Sequence, residues 1–281
     1  FNFIFYGLDP KTDLINYEEI EKKAKQYKPK LIVCGASSYP RVFDFERLSK
    51  IAKKYNAFLM ADLCHPAGLI AAKRYPNPFP SCDVVTMTYD KTLRGPHGGL
   101  ILAKEILHER LDKGLHPGSQ SSVPLQRIYQ AAMCLIDAGG KEYQKYIDQL
   151  IKNIKVLENK FKKYPNLLVA GGTDSNMLVL NTYKVFGITG KEAEMTLEEV
   201  GILSNRQVVP NDTLKPYISS GLRLGTAWTT SRGYTEKDFE KIALILLDVL
   251  QNPRDEIIKA LCRKKVTVLV KQKRHQDMWA L

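Results

Sequence analysis

Two side chains in the first hundred residues have the type and the setting for covalent chemistry. Asp62 closes the apolar run Ala57-Phe-Leu-Met-Ala61, and His65 follows three residues later. Lys91 stands just past a second apolar run, Asp83-Val-Val-Thr-Met-Thr88, with Asp90 beside it and the turn Gly95-Pro-His-Gly-Gly99 after it. In an open α/β sheet, ligands bind at the carboxyl ends of the strands. A lysine amine at one such end can hold a cofactor aldehyde as a Schiff base. A carboxylate at a neighbouring end can keep a pyridine nitrogen protonated, so that the ring accepts electrons from a substrate carbanion. That is the pair pyridoxal phosphate chemistry requires. The spacing also fits a helix-capping aspartate and an exposed lysine, and on spacing alone this plainer reading carries more weight.

The elements that must position these residues alternate along the chain. Residues 17–26 have the charged, amphipathic pattern of a helix, 30–34 are a short buried strand, and 45–55 repeat the helical pattern. Residues 57–61, 83–88 and 99–103 are further strands, the last joined by a connection short enough for an antiparallel pair. Strands separated by helices imply an α/β domain with a mainly parallel sheet. A long helix is expected from about Gly140 to Lys163, after the Ala-Gly-Gly at 138–140. Beyond it, strands are expected at 167–170, 177–180 and 221–226, and helices at 190–200 and 236–250, which reads as a smaller α+β domain. The expected organisation is a large domain over 1–139, a connecting helix over 140–163, a small domain over 164–252 and a tail over 253–281, whose helical stretch and Val-Thr-Val-Leu-Val run have no assigned place.

With 281 residues, 44% of them hydrophobic and 26% charged, the chain can bury a substantial core. No run approaches the ~18 apolar residues that a membrane helix needs. The opening FNFIFYGLDP lacks the basic region and cleavage site of a signal peptide. It reads as a strand entered midway, so the chain is expected to begin inside a longer protein. The five scattered cysteines form no CxxC pair, which argues for reduced intracellular thiols and against a metal site. A net charge of +12 favours anionic partners. Most of the excess lies on helix faces, and the denser basic tail at 263–274 has no aromatic platform or motif for nucleic acid.

Longer stretches carry a resemblance. MADLCHPAGLIAA, CDVVTMTYDKTLRGPHGG, LIVCGASSYPR, GITGKEAEMTLEEVGI and SSGLRLGTAWTTSRG together resemble the serine hydroxymethyltransferases, fold-type-I pyridoxal phosphate enzymes. The resemblance runs from Leu8 to about Leu250 and covers roughly the last three fifths of such an enzyme. It implies that Lys91 is the Schiff-base lysine and Asp62 the partner of the pyridine nitrogen. By the same resemblance His65 packs near the cofactor's phenolic oxygen, Ser37 hydrogen-bonds the cofactor, and Thr88 assists the exchange of lysine for substrate amine. Arg223 matches the arginine that grips the amino-acid carboxylate, a task for which a planar guanidinium is suited. The implied reaction interconverts serine plus tetrahydrofolate and glycine plus 5,10-methylenetetrahydrofolate. A homodimer or homotetramer, and an address in the cytoplasm or the mitochondrion, are implied with it.

The chain also departs from the family's pattern. Asp90 stands where a histidine that reaches the cofactor phosphate is usual, and Tyr89 replaces a threonine. Like unit charges ~4 Å apart repel by about 4 kcal/mol at an effective dielectric near 20, so Asp90 must be protonated, turned away or cation-paired if phosphate binding is not to be weakened. His97 replaces an arginine, and Ser121 and Ser122 replace glycines of a phosphate-binding segment. Asn176 replaces a histidine, and Gln207 aligns with a folate-contacting asparagine. Two further readings therefore stay open: a catalytically weak or inactive paralogue that serves as a binding or regulatory subunit, and a folate-independent aldolase acting on β-hydroxy amino acids.

Overall fold

The computed structural model describes residues 1–35, 37–122 and 124–273. They fall into two compact units, Phe1–Gly7 with Ile15–Gln144, and Leu8–Leu14 with Lys145–Leu281. Arg274 of the basic tail lies outside the described residues.

In the first unit, α1 (Tyr17–Tyr27) starts where the Asn16 side chain accepts the Glu19 amide, with Glu18 and Glu19 at its positive end. β1 (Leu31–Gly35) follows, then α2 (Phe45–Lys54), capped by Asp44 through the Arg47 amide. α2 buries Phe45, Leu48, Ile51 and Ala52, one stripe at helical spacing. β2 (Phe58–Asp62), the short α3 (Ala67–Ala71), β3 (Val84–Thr88) and β4 (Gly99–Ala103) complete the sheet. Its order is β1-β2-β3-β4. The first two pairings are parallel and the β3–β4 pairing is antiparallel, as the short connection requires. The register sets Gly35, Asp62, Thr86 and Ile101 abreast on one face. The other face carries Ile32, Cys34, Leu59, Ala61 and Val85, all buried, whereas Leu31, Val33, Phe58 and Ile101 on the Asp62 face are exposed. Two helices that the sequence pattern had not shown, α4 (His108–Leu115) and α5 (Leu125–Ala138), come next. The unit boundary falls within α6 (Lys141–Phe161).

The opening residues 1–7 form no strand, contrary to the expectation from their apolar run. Phe1, Phe3 and Phe5 are exposed there, with no strand partner among the described residues to take up their backbone groups.

The second unit holds a three-stranded antiparallel sheet, order β5-β7-β6, of β5 (Met177–Leu180), β6 (Asn205–Gln207) and β7 (Gly221–Gly225). Between the first two strands in the chain lie α7 (Thr182–Phe186) and α8 (Gly190–Glu199), the latter opened by a Thr189/Glu192 capping box. After β7 come α9 (Ala227–Ser231), α10 (Glu236–Gln251) and α11 (Glu256–Lys273). The Val-Thr-Val-Leu-Val run is part of α11. Ile154, Leu157 and Phe161 of α6 join Leu178, Leu222, Ala193 and Leu246 in one buried core. The strand expected at 167–170 is instead a tight turn: Ala170 has φ 53° and Gly171 φ 67°, and Leu168 alone bridges to Leu180. An apolar run can fill a core without pairing as a strand, and a left-handed step at its end stops the ladder.

Candidate functional site

In the first unit Ser37, Asp62, His65, Thr88 and Lys91 lie at or just past the carboxyl ends of β1, β2 and β3. Asp62 ends β2, and the chain continues through Leu63 and Cys64 to His65. Three threonine hydroxyls from β3 and the loop after it donate into this segment. Thr86 Oγ1 donates to Asp62 Oδ1 at 2.9 Å. Thr88 Oγ1 reaches the Cys64 carbonyl at 3.4 Å, and Thr92 Oγ1 the His65 carbonyl at 2.7 Å. Ser37, two residues past β1, places its hydroxyl 3.7 Å from Cys64 Sγ. The register explains the first two contacts: Asp62 and Thr86 are paired residues, and Thr88 lies two further along the same face.

Thr92 and Thr86 were not singled out from sequence. Thr92 is fully buried, accepts the Gly68 amide at 2.9 Å on its hydroxyl, and accepts the Tyr143 hydroxyl at 2.9 Å on its carbonyl. It ties the loop carrying Lys91 to the 62–65 segment and to the start of α3. The signal available was the threonine run at 86, 88 and 92, which alternates with the strand and then steps past Lys91.

Lys91 sits in the loop 89–98 between β3 and β4. Gly98 accepts the Tyr89 amide at 3.1 Å and Tyr89 accepts the Gly95 amide at 2.7 Å, which closes the loop on itself. The Lys91 amine is half-buried and has no hydrogen-bond or ion-pair partner among the described residues. Asp90, directly before it, is exposed, and its Oδ2 lies 2.8 Å from His97 Nδ1. The hydrogen bond from His97 holds the Asp90 carboxyl below the usual carboxylate range. Of the three states expected for Asp90, the contact with His97 matches a carboxyl that has a side-chain partner. The two departures at 90 and 97 therefore meet each other. Ser121 and Ser122 are exposed in irregular chain ahead of α5 and make no hydrogen bond to these residues among the described ones.

In the second unit, Arg223 occupies the middle of the central strand β7, opposite Val179 of β5 and Asn205 of β6. Its Nε donates to Asn205 Oδ1 at 3.3 Å. Gln207 ends β6 opposite Gly221, with its amide directed to the Val208 carbonyl at 3.2 Å. Asn176 is buried just before β5, and its Oδ1 meets no partner among the described residues. Asp212 organises the turn into β7. Its carboxylate accepts the amides of Leu214 and Ser220 at 2.9 Å and the Ser220 hydroxyl at 2.6 Å. Burial raises its pKa, and these bonds, Ser220 first, outweigh burial and hold it low.

Comparison with known proteins gives the family. The family model for serine hydroxymethyltransferase matches residues 1–246. The chain belongs to the serine hydroxymethyltransferase family. It is 42% identical over 270 residues to the serine hydroxymethyltransferase of Mycoplasma mycoides subsp. mycoides SC, covering 96% of this chain and 65% of that protein. It is 44% identical over 271 residues to that of Prochlorococcus marinus strain MIT 9301, covering 96% of this chain and 64% of the relative. The chain thus spans a little under two thirds of the length of these curated relatives. Membership places the mixed sheet of the first unit and the small antiparallel sheet of the second in the fold-type-I architecture of pyridoxal phosphate enzymes.

The residues present fit that cofactor on structural grounds. Thr86 occupies one oxygen of Asp62 and leaves Oδ2 without a partner among the described residues, as a pyridinium N–H needs. Lys91, three residues past the end of β3, offers an amine with no ion pair among the described residues. Among the described residues no helix is long and apolar enough to cross a membrane.

Proposed function

We propose that this chain contributes the lysine, the pyridine-nitrogen carboxylate and the carboxylate-binding arginine of a pyridoxal phosphate-dependent serine hydroxymethyltransferase. The reaction is serine plus tetrahydrofolate to glycine, 5,10-methylenetetrahydrofolate and water, and its reverse. The observation that carries the reading is the threonine-bound pair of strand ends, with Asp62 oriented by Thr86 and Lys91 tied to His65 through Thr92. Pyridoxal phosphate, when bound, supplies a ring that takes up the electron pair left on the substrate α-carbon.

The chain's own residues do the rest. Asp62, with Oδ1 bound by Thr86, would offer its other oxygen to the ring nitrogen. Lys91 provides the amine that would hold the cofactor. Thr88, bonded to the Cys64 carbonyl, lies on the same sheet face as Asp62 and offers a hydroxyl to the incoming amine. Ser37 borders the same segment beside Cys64, and His65 follows it in the chain. Arg223, whose Nε donates to Asn205, has the planar fork suited to two-point reception of an amino-acid carboxylate. A net charge of +12 suits a folate with an anionic polyglutamate tail. The reading extends to a homodimer, supported by the exposed Leu125, Ile128, Tyr129 and Ile136 of α5.

The test is chemical trapping. Borohydride reduction of the full chain with pyridoxal phosphate should place the adduct on the peptide containing Lys91, and Lys91→Ala should remove it. An adduct that persists in Lys91→Ala, on another lysine, refutes the assignment.

A further inference from the structure

The loop 89–98 carries three side chains able to present positive charge, Lys91, Arg94 and His97. Arg94 is engaged elsewhere. Its guanidinium meets the Asp137 carboxylate at 3.2 Å and lies 5.5 Å from the centre of the Tyr143 ring. Lys91 is the amine assigned to the cofactor aldehyde. That leaves His97, which is no isolated surface imidazole: its Nδ1 is held 2.8 Å from Oδ2 of Asp90, the residue directly before Lys91.

A carboxylate on one nitrogen of an imidazole orients the ring and sets where its proton resides. A ring so held that takes up a second proton presents a charged N–H on its far side. The His97 side chain is 84% exposed, and Nε2 meets no partner among the described residues. The far edge is therefore open to a ligand. In pyridoxal phosphate the phosphate arm is on the ring carbon next to the one that bears the aldehyde. A cofactor held by its aldehyde at Lys91 would carry its phosphate arm near the amine, and the loop 89–98 is the segment that bears that amine. Alone, Asp90 would repel the phosphate; coupled to an imidazolium, the pair is neutral and offers a directed donor.

We propose that His97 is a phosphate-binding residue of the cofactor site, donating from Nε2, and that Asp90 is a positioning residue that acts through it. The proposal rests on the pyridoxal phosphate reading above. It accounts for both departures together, since the two side chains are in contact.

The experiment is a double-mutant cycle on the full chain with two probes, pyridoxal phosphate and pyridoxal, the second lacking the phosphate. Dissociation constants come from absorbance titration of the protein, His97→Ala, Asp90→Asn and the double variant. His97→Ala should weaken pyridoxal phosphate about tenfold, the value of one charge-assisted hydrogen bond, and leave pyridoxal within about twofold. Asp90→Asn should weaken pyridoxal phosphate when His97 is present and tighten it when His97 is alanine, because there it only removes a repelling charge. That reversal of sign is the signature, and a purely structural Asp90 would not produce it. His97→Gln, polar at the same exposed position, should repeat the His97→Ala result if the alanine variant folds poorly.

The proposal is overturned if Asp90→Asn tightens binding in both backgrounds, or if His97→Ala shifts both probes alike. The Lys91→Ala control separates the two levels. If neither probe binds the full chain, or both bind Lys91→Ala undiminished, the cofactor reading fails and takes this proposal with it.

Discussion

Replacing Thr92 with valine keeps the shape of the side chain and removes one oxygen. That oxygen joins three parts of the first unit: it accepts the Gly68 amide at 2.9 Å and donates to the His65 carbonyl at 2.7 Å. Both bonds are lost without a substitute nearby. Gly68 is buried, so its N–H is left unsatisfied away from water, at a cost of ~1–3 kcal/mol. The His65 carbonyl is only half-buried and belongs near the low end of that range, about 1 kcal/mol. The valine methyl returns a few tenths of a kcal/mol of burial, so Thr92→Val should destabilise by about 2–4 kcal/mol. In urea, with a slope of about 2 kcal/mol per molar, the midpoint followed by circular dichroism falls by about 1–2 M. The same change releases Lys91 from the 62–65 segment, so cofactor affinity should fall as well. Thr92→Ser, which keeps the hydroxyl, should recover most of both losses. A Thr92→Val midpoint within about 0.3 M of the parent, or a serine variant as weak as the valine one, would refute the bridging role.

Two further expectations follow from close contacts in each unit. A β-carbon at Gly68 would collide with the Tyr143 hydroxyl and lie 2.8 Å from the Thr92 carbonyl oxygen, so Gly68→Ala should displace the Lys91 loop; a crystal structure showing an unmoved Thr92 would contradict this. Asp212→Asn turns one acceptor into a donor facing backbone amides and should destabilise by ~1–3 kcal/mol at pH 7. Because the folded carboxyl sits low, the parent's advantage is present above about pH 4, the unfolded carboxyl's value, and is lost as pH falls through the folded one. Thermal unfolding curves of the two proteins should converge toward pH 3; a gap that stayed constant from pH 7 to pH 3 would show that the charge of Asp212 is irrelevant.

Much of the architecture is legible because it is local. The helices at 17–27, 45–54, 190–199 and 236–251 announce themselves through caps and a single apolar stripe, and β1 to β4 through short apolar runs between turns. Asp62 and Lys91 could be placed at strand ends from those runs alone, and the family motifs around them were readable in order. The short β6, Asn-Arg-Gln, carries no such mark, for its strand character comes from pairing with β7. The run at 167–170 carries the mark and is still a turn, because three successive residues, 170–172, have positive φ.

What the amino-acid order determined by itself is which residues could do the chemistry and which elements would carry them. What only the tertiary structure decided is how they meet. The register of β2 against β3 puts Thr86 and Thr88 on the face of Asp62, and the fold of loop 89–98 brings His97 back to Asp90. Residues so far apart in the chain meet through backbone ladders and loop closure, and local periodicity does not encode which register those ladders adopt.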